Sequence, residues 1–319
     1  MGGSSNSLPD FPCYFLKMLS RDRFLWAARA LAGLVVLVIV AMLATLTVST
    51  ASAPRTDTVG HAIVPGAHTK LPAFDAGSII SDDAFFDANS MTESGIQAWL
   101  LAMPCTPTDQ SPCLAFFQQT TSTRPANANC LAYRGATDES AAAIVHKVAR
   151  ACGISPRVLL VLVQKEQSLI TRPSAYGYQR ATGYACPDTA ACNAKYFGFF
   201  NQLYSAAWQF REYSQAKDHW HIAPGAAKIA YSPEASCGAS VVDIANQATA
   251  DLYLYTPYQP DSYTRAHPTG PAGTCSAYGN LNFFRLYNTW FGDSRAVSFP
   301  QWWGPCLNYV GGLACTSRQ

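Results

Sequence analysis

The sequence predicts a mainly α-helical domain with disulfide-bonded loops, preceded by a single hydrophobic N-terminal helix, and three observations carry that expectation. Helix start and stop chemistry recurs in the middle of the chain, where Ser155-Pro156 opens an apolar run and Gly153 and Pro173 mark ends. No segment shows the sustained alternation of a half-buried strand. Ten of the 11 cysteines follow the N-terminal apolar run, and an even number in an oxidising compartment reads as disulfides.

The export expectation comes from the amino terminus. Lys17, Arg21, Arg23 and Arg29 precede an apolar run from about Ala30 to Val48, and positive charge on that side places the N-terminus in the cytoplasm and the remainder outside. Ala51-Ser52-Ala53 has the small-residue pattern of a signal-peptidase site, yet the run is longer than an ordinary signal-peptide core and approaches a membrane span. A cleaved signal peptide and a retained anchor are both expected alternatives, so the protein is secreted or held on the outer face of the cytoplasmic membrane. The expected organisation is 1–53 as that N-terminal element, 54–73 as linker, 74–293 as the folded domain and 294–319 as a tail.

Four of the 22 basic and two of the 20 acidic residues precede residue 54, which leaves 18 of each beyond it. A neutral exported part with only 13% charged residues offers no electrostatic footprint for nucleic acid. Aromatics at 12% on a weakly charged surface suit a neutral substrate, and carbohydrate is the first candidate.

Along the chain, Ser81 or Asp82 caps a short helix and Thr92 caps another through about Leu101. The Thr-, Ser-, Pro- and Asn-rich stretch 105–135 reads as surface loop. Thr137 opens a helix with Asp138 and Glu139 in its first turn and Arg150 in its last, and Gly153 follows Cys152. The next helix runs from Pro156 to about Ile170, with Val158 to Val163 apolar without a break, so it is expected to be buried on all sides. Further helices are expected at about Asn201–Tyr213 and Val241–Tyr253, with loops over 176–196 and 256–279. Pairing neighbouring cysteines gives Cys105–Cys113, Cys130–Cys152, Cys186–Cys192, Cys237–Cys275 and Cys306–Cys315 as the simplest connectivity.

Chemistry concentrates at Glu166, which emerges from the apolar stripe of Leu159, Leu162, Val163, Leu169 and Ile170. Apolar surroundings favour the protonated carboxyl, a form that can donate to a leaving oxygen near neutral pH. The alternative is a helix-end glutamate that bends into solvent or pairs with an arginine. Asp188, inside the expected Cys186–Cys192 loop, is the second carboxylate a hydrolase would use, and equally reads as a helix N-cap. Tyr176, Tyr178, Tyr184, Tyr196, Phe197, Phe199 and Phe200 can line a groove that stacks on pyranose faces, although many can equally be core. His219 and His221 lack a third ligand, so no metal is expected, and no cofactor is needed. Thr274-Cys275-Ser276 with His267 is similar to a cysteine-peptidase nucleophile region, but even cysteine parity argues that Cys275 is bridged.

Ile154-Ser155-Pro156, Val158-Leu159-Leu160 and Glu166 together resemble the helix of lytic transglycosylases and related lysozyme-like enzymes that ends in the catalytic glutamate. Gly198-Phe199-Phe200-Asn201 resembles the Gly-Leu-Met-Gln element of that superfamily. Gln164 to Gln167, Gly183 to Asp188, Tyr196 to Gln202 and Tyr255 to Pro260 are similar, more specifically, to actinobacterial exported proteins labelled hemagglutinin-like, over about Phe74 to Gly292. Two departures stand out: Gln167 intervenes between Glu166 and Ser168, and Asn201 occupies the position of the superfamily's glutamine. The resemblance implies a lysozyme-like fold, Glu166 as general acid, and peptidoglycan glycan strands as the partner cleaved at their β-1,4 backbone by a lytic transglycosylase or muramidase. The expected substrate-binding set is Tyr176, Tyr178, Tyr184, Phe199, Asn201, Gln202, Tyr255, Tyr258 and Gln259. The rival expectation is a catalytically silent glycan-binding or adhesion protein on the same fold.

Overall fold

Nine helices and two small antiparallel ladders make up the described part of the protein, which in this computed structural model comprises residues 71–297 apart from 188–189, 217–218, 269–270 and 272. The N-terminal apolar run, most of the expected linker, Asp188 and the Cys306–Cys315 loop lie outside the described residues. Among the described residues no helix is long and apolar enough to cross a membrane.

The first elements follow their caps. Ser81 Oγ accepts from the Ala84 amide at the start of α1 (Asp82–Phe86), and Thr92 Oγ1 from the Gly95 amide at the start of α2 (Glu93–Ala102). The helix expected from Thr137 begins later, as α3 (Ala141–Cys152), with Ser140 as its cap and Gly153 closing it in the left-handed region. The correction has a backbone cause: Asp138 has φ 48°, and Glu139–Ser140 (β2) pairs with Gln118–Gln119 (β1) in a two-residue ladder, so these residues cannot also be helical.

Helix α4 (Pro156–Gln167) is the centre of the fold. Val158 to Val163 are all at most 1% exposed, as an all-round apolar run requires. It packs against α3, α6 (Phe199–Gln215) and most extensively α9 (Gly279–Phe291), an element the sequence reading left unassigned. Each fully buried Val or Leu contributes roughly 1.5–3 kcal/mol relative to exposure. Helix α4 also stops three residues short of its expected end: Ser168 takes φ 55° and its amide returns to Gln164 O, so Leu169 and Ile170 are buried from the following turn instead.

Two short helices, α5 (Ala175–Gln179) and α8 (Ser262–Ala266), lie in segments read as loop. The helix expected from Val241 is corrected to α7 (Gln247–Tyr255), capped by Asn246, because Ala239–Ile244 (β4) pairs with Gly225–Ala230 (β3) in a six-residue antiparallel hairpin. Val242 and Ile244 point inward while Val241 and Asp243 face solvent, the period-2 pattern that adjacent valines disguise. Cys105–Cys113, Cys130–Cys152, Cys186–Cys192 and Cys237–Cys275 are bridged, as neighbour pairing predicts. The two ends of the described chain meet: Ser294 Oγ donates to Ile79 O at 2.8 Å and Ser81 Oγ to Ala296 O at 2.7 Å.

Between β2 and α3 lies a buried polar knot. The Glu139 carboxylate accepts from Thr121 Oγ1 at 2.5 Å, Tyr133 OH at 2.6 Å and the Lys147 ammonium. Burial works against its charge, but the bonds from Lys147, Thr121 and Tyr133 outweigh it and hold the carboxyl below its ordinary range. A depressed folded-state value means stability that is present above the unfolded glutamate range, near pH 4.3, and lost as pH falls from there through the lower folded-state value. Glu139→Gln should therefore lower the urea midpoint at pH 7, with a difference from wild type that shrinks between about pH 5 and pH 3. Denaturation curves at stepped pH check it, and a pH-independent difference would remove the charge from the explanation.

Candidate functional site

The last turn of α4 carries Glu166 out of the buried helix. A quarter of its side chain, 24%, is exposed, and Oε1 lies 2.5 Å from Lys165 Nζ. The expected dry apolar surrounding is thus corrected to a partly open one with an ammonium on one face, since the helix ends one residue later and its final turn projects beyond the core. Lys165 is itself held by Thr256 Oγ1 at 2.8 Å, just past the end of α7. A second face is covered by Gly183, at φ 69°, where an added Cβ would sit 3.4 Å from Glu166 Oε2. The left-handed conformation, rather than a lack of room, is what suits glycine here. Three of the positive-φ residues, Ser168, Gly183 and Ala185, belong to the segments around this glutamate.

The loop bearing Gly183 is pinned by one side chain. Gln202, fully buried on the first turn of α6, accepts from the Tyr184 amide at 3.1 Å and the Thr182 amide and hydroxyl at 3.3 Å. Its Nε2 donates to Tyr184 O at 3.0 Å and Tyr196 O at 2.9 Å. Both ends of the 184–196 loop are therefore fastened to one amide, with the Cys186–Cys192 bridge between them. The helix that presents Gln202 starts at Gly198, φ 100°, with no side-chain cap of its own; Gln119 Oε1 from β1 accepts the Phe200 amide at 3.0 Å instead.

Tyr255 closes the floor. Its hydroxyl donates to Thr182 O at 2.7 Å and its ring stacks on Phe210 at 4.8 Å. Burial pushes its phenol up, with the Glu166 charge adding to the shift, so this hydroxyl stays a donor. Burial also raises Tyr213 to about 12, with Tyr184 contributing.

On the other side of the loop lies a groove of about 560 Å³ lined by Arg124, Asn127, Tyr184, Tyr196, Tyr204 and Trp208, with Asn201 at its base. Tyr184 and Tyr196 meet edge to face at 5.0 Å, and Trp208 is fixed by its Nε1 bond to Asn127 Oδ1 at 3.1 Å. Tyr184 thus links the two features: Gly183 before it faces Glu166, and Tyr184 itself lines the groove.

The other expected substrate-binding residues divide by location. Tyr178 and Phe199 are buried, 7% and 1% exposed, and pack on Phe117 beneath the loop. Tyr176 is exposed and stacks under the Arg180 guanidinium at 4.1 Å. Gln259 is buried and donates to Ile229 O and Ser240 Oγ, both at 2.8 Å, tying its loop to the hairpin. Tyr258 lies beside Ala230 in the same junction. Asp188 lies outside the described residues. Arg124, Asn127, Tyr204 and Trp208 were missed: the first two fall in the stretch read as surface loop, and the two aromatics lie within the helix expected at about Asn201–Tyr213, where nothing local marks a ring as groove-lining. Cys275 is bonded to Cys237 and offers no thiol, and among the described residues no three His, Cys, Asp or Glu side chains converge on a metal position.

No protein-family model matches this chain, and neither a curated protein nor a solved structure does.

Because the Gln202 amide satisfies both ends of the loop inside the core, Gln202→Leu should cost about 1–3 kcal/mol by stranding backbone groups of Thr182, Tyr184 and Tyr196. Chemical denaturation checks the loss. An unchanged midpoint would show that water replaces the amide and that the loop is not fastened this way.

Proposed function

We propose that the protein is an exported glycan-cleaving enzyme with a lysozyme-like domain, acting on the β-1,4 backbone of peptidoglycan with Glu166 as general acid. One observation carries the reading: the otherwise buried α4 ends in a solvent-reachable carboxylate whose covering loop also forms an aromatic groove. Elongated grooves with aromatic walls suit pyranose rings, whose C–H faces stack while their hydroxyls bond to Tyr and Asn side chains. The neutral exported sequence and the resemblance of the α4 helix and the Gly198–Asn201 segment to lytic transglycosylases support the same assignment. The placement of Gln202 and Asn201 on the first turn of α6, beside the loop that covers Glu166, is compatible with that resemblance.

In this mechanism Glu166 gives its proton to the glycosidic oxygen as the C1–O bond breaks and positive charge develops at C1. The resulting carboxylate then takes a proton from the acceptor. If the acceptor is a hydroxyl of the same sugar, the product is an anhydro ring and one glutamate suffices. If it is water, a second carboxylate is needed, and Asp188 is the residue proposed for it. Lys165 holds the glutamate from the helix side, and Tyr255 holds the Thr182 backbone next to Gly183.

A specific contact favours the second reading, a silent glycan-binding or adhesion protein: Lys165 occupies Oε1 of Glu166, one of the two oxygens a scissile bond would approach. Digestion of purified peptidoglycan separates the two. Glu166→Gln should abolish cleavage, by about a thousandfold or more, while leaving the fold and glycan binding intact. Turnover at the wild-type rate in that variant rejects the general acid, and intact glycan with retained affinity in the wild type establishes the binder. Asp188→Asn should reduce turnover less than about tenfold, with anhydro-ended products in the mass spectrum; a roughly hundredfold loss at an unchanged melting temperature, with reducing-end products, would instead make the protein a hydrolase.

A further inference from the structure

The groove carries charge of one sign. Arg124 and Lys195 both line it, and no carboxylate does among the described residues. Arg124 Nη2 donates to a neutral acceptor, Asn201 Oδ1, at 2.7 Å, and its guanidinium lies over the Phe200 and Tyr204 rings at 5.6 and 5.8 Å. Lys195 is exposed beside the Tyr196 ring, 5.7 Å from its centroid. Neither cation is within ion-pairing distance of an acid among the described residues. The nearest acid on α6, Glu212, is one turn beyond Trp208 and is engaged by Asn129 Nδ2 at 2.6 Å. Among the described residues, therefore, the two cations of the aromatic groove have no acidic partner.

We infer that this groove selects a carboxylate-bearing glycan, with a sugar ring against Trp208 and Tyr204 and the carboxylate between Arg124 and Lys195. The inference rests on the glycan reading above and names its substrate class: an acidic, peptide-substituted or lactyl-bearing β-1,4 glycan in preference to a neutral one. A guanidinium held by Asn201 through Nη2, with Nε buried and two rings beneath it, keeps Nη1 and the second Nη2 hydrogen for a ligand, a pair that can engage a carboxylate in two bonds. The exposed lysine supplies a mobile point charge at the rim, which speeds encounter and depends on salt. Neutral chitin-like strands would use the aromatic walls alone.

The test is equilibrium binding to the full chain carrying Glu166→Gln, so that turnover does not consume the ligand, with three probes of equal glycan length: chitotetraose, a peptide-free glycan of alternating N-acetylglucosamine and N-acetylmuramic acid, and the same glycan bearing stem peptides. At low salt at least one acidic glycan should bind about tenfold or more tighter than chitotetraose, and the preference should fall to within about threefold at 0.5 M salt. Preference for both acidic probes identifies the lactyl carboxylate; preference for the peptide-bearing one alone identifies the stem. Lys195→Gln, at an exposed position, should cut the preference severalfold without changing chitotetraose affinity, and Arg124→Gln should abolish it. Equal affinity for all three probes, no binding of any, or an equal loss for neutral and acidic probes in the Lys195 variant would overturn the inference. Loss of cleavage assignment for Glu166 with the charge preference intact would leave this inference standing and reject only the enzymatic reading.

Discussion

Burial of the Val158–Val163 run of α4 is the constraint on which the rest depends. A helix apolar on every face has no stable position on a surface, so α3, α6 and α9 must enclose it. Enclosure fixes where polarity can return. It returns in the last turn, at Gln164, Lys165 and Glu166, where the helix leaves the core. Gln164 turns back to satisfy the amides of Ile170 and Thr171 and so shapes the turn that replaces the helix, while Lys165 reaches the end of α7 and Glu166 is left toward solvent. Three consecutive polar residues have three different tasks, dictated by how far each lies from the buried cylinder.

Around that turn the backbone takes conformations that cost free energy. Ser168 and Ala185 hold positive φ without the freedom of glycine, at about 1–3 kcal/mol each. The surrounding structure fastens both: the Ser168 amide bonds to Gln164 O, and Ala185 O receives the Asn193 amide at 2.9 Å across the Cys186–Cys192 loop. Such strain persists only where packing elsewhere is large enough to offset it, and the core of α4, α6 and α9 supplies that packing. The coincidence of strained positions with the one exposed carboxylate of the buried helix is an argument for function that comes from physics alone.

How much of this was legible in the sequence depended on whether a residue's role was local. Pro156 at a first helical turn, Gly153 at a stop, and the six apolar residues of α4 state their roles within a few positions, and the helix formed where they placed it. Among the described residues, neighbouring cysteines likewise paired, across separations of 6 to 38 residues. The hairpin was missed because its inward residues, Val242 and Ile244, are separated from Ala248 and Leu252 by spacings that also satisfy a helix; the decision came from pairing with 225–230, which is a long-range fact. The start of α3 was misplaced for a related reason, since Glu139 looks like a favourable first-turn acid but is committed to Thr121, Tyr133 and Lys147. At the site, Glu166 could be singled out because its stripe is contiguous in sequence. Its surroundings could not: Gly183, which faces it, and Thr256, which holds the neighbouring Lys165, come from segments 17 and 90 positions away.

The same distinction explains why the groove residues split from the aromatic run that suggested them. A loop of alternating aromatic and small residues gives no sign of which rings turn inward. Gln202 decides it, because an amide that holds the Thr182–Tyr184 and Tyr196 backbone inward turns the Tyr184 and Tyr196 rings together at the groove and leaves Tyr178 and Phe199 as the layer beneath. Once that layer is filled, the opposite wall comes from the side of α6 that borders the groove, where Tyr204 and Trp208 lie at i and i+4. Arg124 then enters from the loop that crosses α6, bound to Asn201 one turn earlier. Helical periodicity places Asn201, Tyr204 and Trp208 on one strip, and a strip of an amide and two rings facing two more rings is a surface for an extended, ring-bearing ligand rather than for a compact one.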